Sequence, residues 1–531
     1  MAGRTRPSDD RDKSMAARER LTGLDHVVVV MFENRSFDHL LGRLYEPGEV
    51  QSFEGVMGKD LSNPIPDWAE HGADRAVVPY GIAPNMNTPN PDPGEEYQHV
   101  NTQLYGLIDP PSNRGVLAEH MVAPFNAPAD PNLQPTMQGF VTDYISAFTA
   151  EMGHEPTYAQ YSQIMTGYTP EQMPVLSTLA RGFATFDHWF AEVPSQTFTN
   201  RSFFHAATAS GFVVNAPYAN FPEQNNAETL FERLESKGLT WRVYCDPQSP
   251  ATFTGIIHGP RLRHRFASNF FTTDQFFEDV AQGQLPTYSF IEPNMWHGHN
   301  DMHPPISMLT PGLELDAPSA LLGGEELLAR IYNAVRSSTA NGSNCFNTLL
   351  LVAFDEHGGT YDHVPPPAAS PPDAAAGAGQ LGFGFNRLGV RLPVLAISPW
   401  IAENTVVNDI HHHTSVMRTM RQRWDLGNPF TAREADAPDL APVLTRDMPR
   451  HPDDWPDVVP QPVPAFDESL LPPDEPLSPI AQAFIVGGVR LARDLGADVP
   501  EITNPADLKG SEGLELLHAA TGHLFPGLAH S

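Results

Sequence analysis

Thiol chemistry is nearly absent from this chain. Cys245 and Cys345 are the only cysteines, which excludes a disulfide scaffold and leaves at most one bridge. Cationic side chains are also scarce, with 32 Lys and Arg against 64 Asp and Glu, a formal net charge of -32 and a pI near 4.9. That balance excludes nucleic acid as a surface ligand. It does not exclude a phosphate ester, because one bound metal reverses the local potential. No apolar run has the length to span a bilayer. Residues 1–20 (MAGRTRPSDDRDKSMAARER) lack the apolar centre of a secretory signal and read as a flexible leader. The expectation is a soluble, cytoplasmic protein, with signal-less export as the alternative. Proline, by contrast, is abundant at 53 residues. Apolar and aromatic residues persist between the prolines, which points to long ordered loops rather than disorder.

What the chain does contain is a set of apolar runs that end abruptly in polar residues. Phe346 to Pro367 reads FNTLLLVAFDEHGGTYDHVPPP. Its run Leu349–Phe354 fits a strand buried on both faces of a parallel sheet. The run stops at Asp355 and Glu356, followed by His357, Gly358-Gly359, Asp362 and His363. Ligands of open α/β sheets bind beyond the carboxyl ends of the strands. Two adjacent carboxylates there repel each other and are costly to desolvate unless a cation lies between them, and a divalent metal is the simplest remedy. A second such run, Asp25–Phe32 (DHVVVVMF), stops at Glu33 and Asn34, and a short helix follows to Gly42. Residues 46–135 read as a long irregular insertion over the active edge. Helical patterns fall at 139–150, 171–182, 202–210, 229–237, 274–282, 325–337, 414–424 and 478–495, and strands at 183–193, 241–245, 287–291 and 391–397. This alternation predicts an α/β fold with a doubly wound, mostly parallel sheet flanked by helices and carrying long loop insertions. The expected division is a leader at 1–20, a catalytic domain at 21–448, and a Pro-rich C-terminal extension with one or two helices at 449–531.

Four oxygen-bearing side chains, Glu33 and Asn34 after one strand and Asp355 and Glu356 after another, thus suit one hard divalent cation. Thr197 follows the strand 183–193 at the start of a helix, where free N–H groups would hold a phosphate. Its hydroxyl is a weak nucleophile that metal coordination activates. His297, His299 and His303 follow the strand ending at Ile291 and would steady phosphoryl oxygens or protonate a leaving group. Each piece has a plainer reading. Glu33-Asn34 also fits a helix cap, and Thr197 an N-cap. Ser195, Thr199 and Ser202 are rival hydroxyls. His411-His412-His413 fits a solvated surface run better than a metal tract. Cys245 and Cys345 read as buried apolar residues, and His188 as a satisfied core histidine. Oxygen ligands without cysteine favour Ca²⁺, Mg²⁺ or Mn²⁺ over Zn²⁺.

Five ordered motifs together resemble the bacterial phospholipase C/acid phosphatase phosphoesterase family, which includes the plant non-specific phospholipases C. They are ENRSFDHLLG at 33–42, PSQTFTNRSFFHAATASG at 194–211, IEPN at 291–294 with the downstream NDMHPP, DEHGGTYDHVPPP at 355–367, and HTSVMR at 413–418. The resemblance runs from about Leu24 to Asp436. It implies an alkaline-phosphatase-like fold, with Glu33, Asn34, Asp355, Glu356 and Thr197 around the metal and Thr197 as the residue that becomes phosphorylated. His303 matches the family's D-H-P histidine, although Met302 separates it from Asp301. His99 lies near the place of the family's P-G-H histidine, where this chain reads PGEEYQHV. His357 and His363 are further candidates for proton transfer. The implied activity is metal-dependent hydrolysis of a phosphate ester through a phosphothreonine, of phospholipase C type. An acid phosphatase, or another phosphomonoesterase or sulfatase-like hydrolase on the same core, is the alternative. The superfamily's use of zinc keeps Zn²⁺ beside Ca²⁺, Mg²⁺ and Mn²⁺. A phospholipid is among the candidate substrates, with membrane contact at most peripheral and the oligomeric state open.

Overall fold

Valine and leucine runs with no polar interruption have nowhere to go but the middle of a sheet, and that is where they lie in the computed structural model. It describes residues 18–464 and 479–500, apart from 74, 248, 250–251, 296–298, 306–319 and 374–376, together with scattered residues between 502 and 520. The main sheet has eight strands: β1 (His26–Phe32), β2 (Ala184–Phe186), β3 (Trp241–Cys245), β4 (Phe270–Thr272), β5 (Tyr288–Glu292), β6 (Thr348–Phe354), β7 (Val394–Ile397) and β8 (Thr405–Val407). Their order is β8-β2-β7-β6-β1-β5-β3-β4. Only the β6–β7 and β7–β2 pairings are antiparallel. The expected mostly parallel α/β sheet therefore forms, mixed by these two antiparallel pairings.

β1 and β6 sit side by side at the centre, and every residue of β6 is buried. Their parallel register pairs His26 with Thr348 and runs to Phe32 with Phe354. Consequently Glu33 and Asp355 leave the sheet together at the same level. On the other flank β5 pairs with β1, Val30 opposite Ile291. The chain after β5 returns to the same edge, where the Glu33 amide donates to the Asp301 carbonyl at 2.8 Å.

Seven helices matter for the site and its support: α1 (Tyr97–Tyr105), α2 (Phe140–Met152), α3 (Pro174–Gly182), α4 (Thr197–Ala206), α5 (Ala320–Ser337), α6 (Thr414–Trp424) and α7 (Pro479–Asp494). α3 and α5 are joined by a buried cap. Glu325 of α5 accepts from the Val175 and Leu176 amides, both at 2.7 Å, satisfying donors that a helix start leaves free. The C-terminal extension packs on the sheet domain rather than trailing from it. Trp455 meets Phe183 edge-on at 5.1 Å between ring centroids, and Ile485, Val489 and Leu491 of α7 are buried.

Three expectations need correction. Residues 46–135 are not irregular throughout, because they contain α1, which is buried at all nine positions. Its polar side chains bond inward: Gln98 to the Ala118 carbonyl, Asn101 to that of Phe125 and Gln103 to that of Gly94. Such a helix has no apolar stripe for periodicity to find. The strand expected at 183–193 is two, β2 and a short Trp189–Phe190 that pairs with His411–His412. The break falls at Asp187, whose carboxylate accepts from the Glu54 amide and from Asn408 Nδ2. Third, the histidines 411–413 are buried rather than solvated. His411 stacks on Trp189, His412 Nδ1 pairs with Glu192 Oε1 at 2.8 Å, and His413 Nε2 bonds the Asp355 carbonyl at 2.7 Å. Both cysteines are buried, as expected, and free, which leaves no bridge between them. His297 lies outside the described residues.

Candidate active site at the ends of the central strands

Glu33, Asn34, Asp355 and Glu356 come together where β1 and β6 end. The Asn34 amide is 3.4 Å from Asp355 Oδ1, and the Glu356 amide donates to the same oxygen at 2.8 Å. Asn34 takes a positive φ of 60°, a left-handed conformation that asparagine tolerates better than most residues. All four side chains are buried. Each keeps one oxygen without a hydrogen-bond partner: Glu33 Oε2, Asn34 Oδ1, Asp355 Oδ2 and Glu356 Oε1. Buried polar atoms are nearly always satisfied, so four oxygens without a hydrogen bond on four neighbouring residues are a donor set suited to a hard divalent cation. Burial and the nearby Asp355 hold the Glu33 and Glu356 carboxyls well above the ordinary range. Burial likewise raises Asp355, against the pull of Arg201.

Arg201 is the side chain that sequence reasoning missed. It lies four residues after Thr197 on α4, so the two share a helix face. Its guanidinium donates to Glu33 Oε1 at 2.8 and 3.1 Å, and its Nε is 3.4 Å from Asp355 Oδ2. Part of the charge of the paired acids is thus met by the protein itself, while Arg201 Nη1 keeps an unused donor.

Thr197 is buried in the first turn of α4, after the N-cap Gln196. Gln196 Nε2 reaches Glu95 Oε1 at 3.5 Å. Among the described residues no hydrogen bond engages the Thr197 hydroxyl. Two rivals are occupied: Thr199 donates to the Phe212 carbonyl and Ser202 to that of Thr208. The third, Ser195, is buried with its hydroxyl unpartnered.

The histidines separate into two groups. His303 belongs with the acids, since its Nε2 is 2.8 Å from Asn34 Nδ2. Its Nδ1 faces the Pro304 carbonyl at 2.8 Å, which assigns the proton to Nδ1 and a lone pair to Nε2. Burial lowers its pKa to about 4, so the ring is neutral and accepts. His357 also adjoins the set, with Nδ1 3.4 Å from Glu356 Oε2 and Nε2 2.7 Å from Gln103 Oε1. Burial lowers it to about 3. His99 and His363 have other partners. Burial would lower His99, but Asp143 at 2.8 Å overrides it and holds the pKa near 9. His363 Nδ1 pairs with Asp38 Oδ2 in a cluster with Asp362 and Arg391, where Arg391 donates to Asp38 at 2.8 Å and Asp362 at 3.0 Å. Every carboxylate oxygen of that cluster is satisfied, which marks a structural ion network.

Glu95 is the other residue missed. It sits just before α1 in the segment read as loop, accepts from Asn34 Nδ2, and its carboxyl contacts that of Glu356. The only signal was the PDPGEEYQHV run itself, where the offset of a histidine drew attention instead.

The Phosphoesterase family matches this chain over residues 24–427. Non-specific phospholipase C3 of Arabidopsis thaliana is 31% identical over 445 residues, covering 80% of this chain and 74% of the relative. Phospholipase C B of Mycobacterium tuberculosis is 26% identical over 455 residues, 81% of this chain and 80% of the relative. Among solved structures, a protein in the alkaline phosphatase superfamily from Vibrio parahaemolyticus overlaps 67% of this chain and 82% of its own, at 12% identity and a TM-score of 0.31. The match over residues 24–427, with relatives 30% and more identical along most of their length, makes this chain a member of the phosphoesterase family, a hydrolase of phosphoric ester bonds.

Proposed function

We propose that the chain hydrolyses a phosphodiester of phospholipase C type through a phosphothreonine at Thr197, with a divalent cation held by Glu33, Asn34, Asp355 and Glu356. The observation that carries the reading is the set of four buried oxygens without a hydrogen bond, one on each of those residues, of which Asp355 Oδ2 meets only the Arg201 charge at 3.4 Å. When bound, the cation would lower the pKa of the hydroxyl and offset charge in the transition state. The chain's own residues do the rest. Thr197 Oγ1 gives up its proton to water as it attacks phosphorus, the ester P–O bond breaks, and the leaving alkoxide takes up a proton from water. Water then attacks the phosphothreonine, releasing the phosphate product and restoring the hydroxyl. Arg201 works against the rise in Glu33 and Asp355 and holds the two close, and its free Nη1 is a donor available to a phosphoryl oxygen. His303, neutral and fixed through Nδ1, orients Asn34 rather than donating a proton. His99 and His363, each committed to an aspartate, take no part.

The phospholipase C names of the similar proteins support the lipid reading. No helix of the described residues is long and apolar enough to cross a membrane. We assign the catalytic domain to residues 21–448 and the extension to 449–531. The test is an assay of wild type and Thr197→Ala with saturating divalent metal, on phosphatidylcholine vesicles and on a soluble phosphomonoester. The variant should fold and lose roughly 10⁴-fold or more of turnover, the scale of deleting a nucleophile. Retained turnover removes Thr197 from this role. Hydrolysis of the soluble monoester alone moves the protein to the acid phosphatase class.

A further inference from the structure

A helix start leaves N–H groups free, and the N-cap side chain ordinarily accepts from the second or third of them. Gln196, the N-cap of α4, makes no such bond. Asn215 supplies it from another loop, its Oδ1 accepting from the Phe198 amide at 2.9 Å. Gln196 answers through its own side chain, whose Oε1 accepts from the Asn215 amide at 3.0 Å. Both neighbours of Thr197 in the chain are therefore tied to Asn215. The loop that carries Asn215 is itself held, because Gln380 Oε1 accepts from the Val213 and Val214 amides at 2.9 and 3.1 Å.

Asn200 grips the same turn from within α4. Its Oδ1 accepts from the Val193 amide at 3.0 Å, and its Nδ2 faces the carbonyls of Val193, Ser195 and Gln196 at 3.2, 2.8 and 3.0 Å. An amide nitrogen of this kind carries two protons, so three carbonyls share them and both are committed to the turn. Asn200 and Asn215 are buried. Phe198 adds an apolar anchor, its ring edge-on to those of Phe221 and Phe253 at 5.4 and 5.2 Å between centroids. Main chain and flanking side chains are thus fixed around a threonine whose hydroxyl is not.

We propose that Asn215 is a positioning residue for the nucleophile, working across the turn from Asn200 to hold the main chain on both sides of Thr197 so that Oγ1 is presented in one orientation. The inference rests on Thr197 being the residue that attacks phosphorus. Asn215 acts through Thr197 and transfers no proton; its contribution is geometric. A misplacement of about 1 Å at a reacting atom costs on the order of 10²-fold in rate. A helix cap that served stability alone would change how much enzyme is folded, and leave the folded enzyme reacting at the same rate.

The test is a single-turnover measurement on the full chain with saturating divalent metal, the enzyme in saturating excess over a soluble p-nitrophenyl phosphodiester. Under those conditions the rate constant belongs to the folded enzyme alone, while the melting temperature reports stability. Asn215→Leu, which keeps the shape and removes the acceptor, should lower the rate constant roughly 10²-fold. Asn215→Asp, which returns an acceptor to the Phe198 amide, should recover most of that loss. Gln196→Met, which releases the Asn215 amide, should lower it about tenfold or more, and decides the matter if Asn215→Leu does not fold. A lowered melting temperature with an unchanged rate constant makes Asn215 a structural cap and overturns the inference. Equal losses in Asn215→Leu and Asn215→Asp also overturn it. Thr197→Ala, run alongside, separates the two readings. If it keeps its rate constant, the nucleophile and its positioning residue fall together; if it loses turnover and Asn215→Leu does not, only the positioning role falls.

Discussion

The Arg201 guanidinium stands 2.8 Å from Glu33 Oε1 and 3.4 Å from Asp355 Oδ2 at a buried strand end. Removing one partner of a buried ion pair leaves the other charge uncompensated, at a cost of about 3–5 kcal/mol. Arg201→Met should therefore lose about that much stability in urea unfolding of the chelated protein. Added divalent cation should return more of it than wild type gains, because the same acids are then left to the ion. A deficit that the cation cannot reduce would count against Arg201 and the ion sharing those carboxylates. Ser195 offers the sharper control on the nucleophile. It is the one rival hydroxyl left unpartnered, and Ser195→Ala should keep turnover within about fivefold of wild type, whereas Thr197→Ala should not. Both hydroxyls were visible in the PSQTFTN run. Arg201 was visible too, but its role depends on which carboxylates its helix meets.

Among the elements, the turn after β6 is the most constrained. Gly358 and Gly359 have φ of +57° and +64°, and a Cβ on Gly358 would lie 2.3 Å from the Asn34 carbonyl oxygen. The turn needs glycine both for its left-handed backbone and for the close approach of Asn34. Gly358→Ala should cost at least the ~1–3 kcal/mol of a strained backbone and weaken cation binding by shifting Asn34, read by calorimetric titration. Gly382→Ala, at φ +76° with nothing within 4 Å of its Cβ, should lose stability alone and keep cation affinity. The Gly-Gly pair was legible as a turn because glycine punctuates any pattern. α1 was not, since its buried polar residues satisfy one another instead of facing a core and water in alternation.

Across the whole molecule the site acids set the pH response. Burial, with the charge of neighbouring acids, raises Glu33, Asp92, Glu95 and Glu356 well above their ordinary values. A carboxyl raised on folding stabilises below its unfolded pKa and loses that contribution as pH climbs toward the folded one. His99, held near 9 by Asp143, acts in the same direction, its contribution fading between about 6.5 and 9. His303 and His357, lowered by burial to about 4 and about 3, act the other way, but only below about pH 6.5, so the chelated protein should grow less stable from about pH 7 to about pH 9. Saturating divalent cation should flatten or reverse that slope, because binding releases the acids' protons and tightens as pH rises. Melting temperatures against pH, with and without chelator, check this. A cation-induced shift that does not grow with pH would argue that the ion does not bind the raised carboxyls.

The amino-acid sequence by itself determined the two central strands, the polar residues that cut them short and the family to which those motifs belong. An unbroken apolar run has one stable environment, and a carboxylate at its end has few uses. Only the tertiary structure decided which of the candidate groups meet. Strand order places β1 between β5 and β6, and the register of Phe32 opposite Phe354 brings Glu33 to Asp355. The same packing draws in Arg201 and Glu95 and sends His99 and His363 to aspartates of their own. Proximity between residues hundreds of positions apart follows from pairing and packing, which local pattern does not encode.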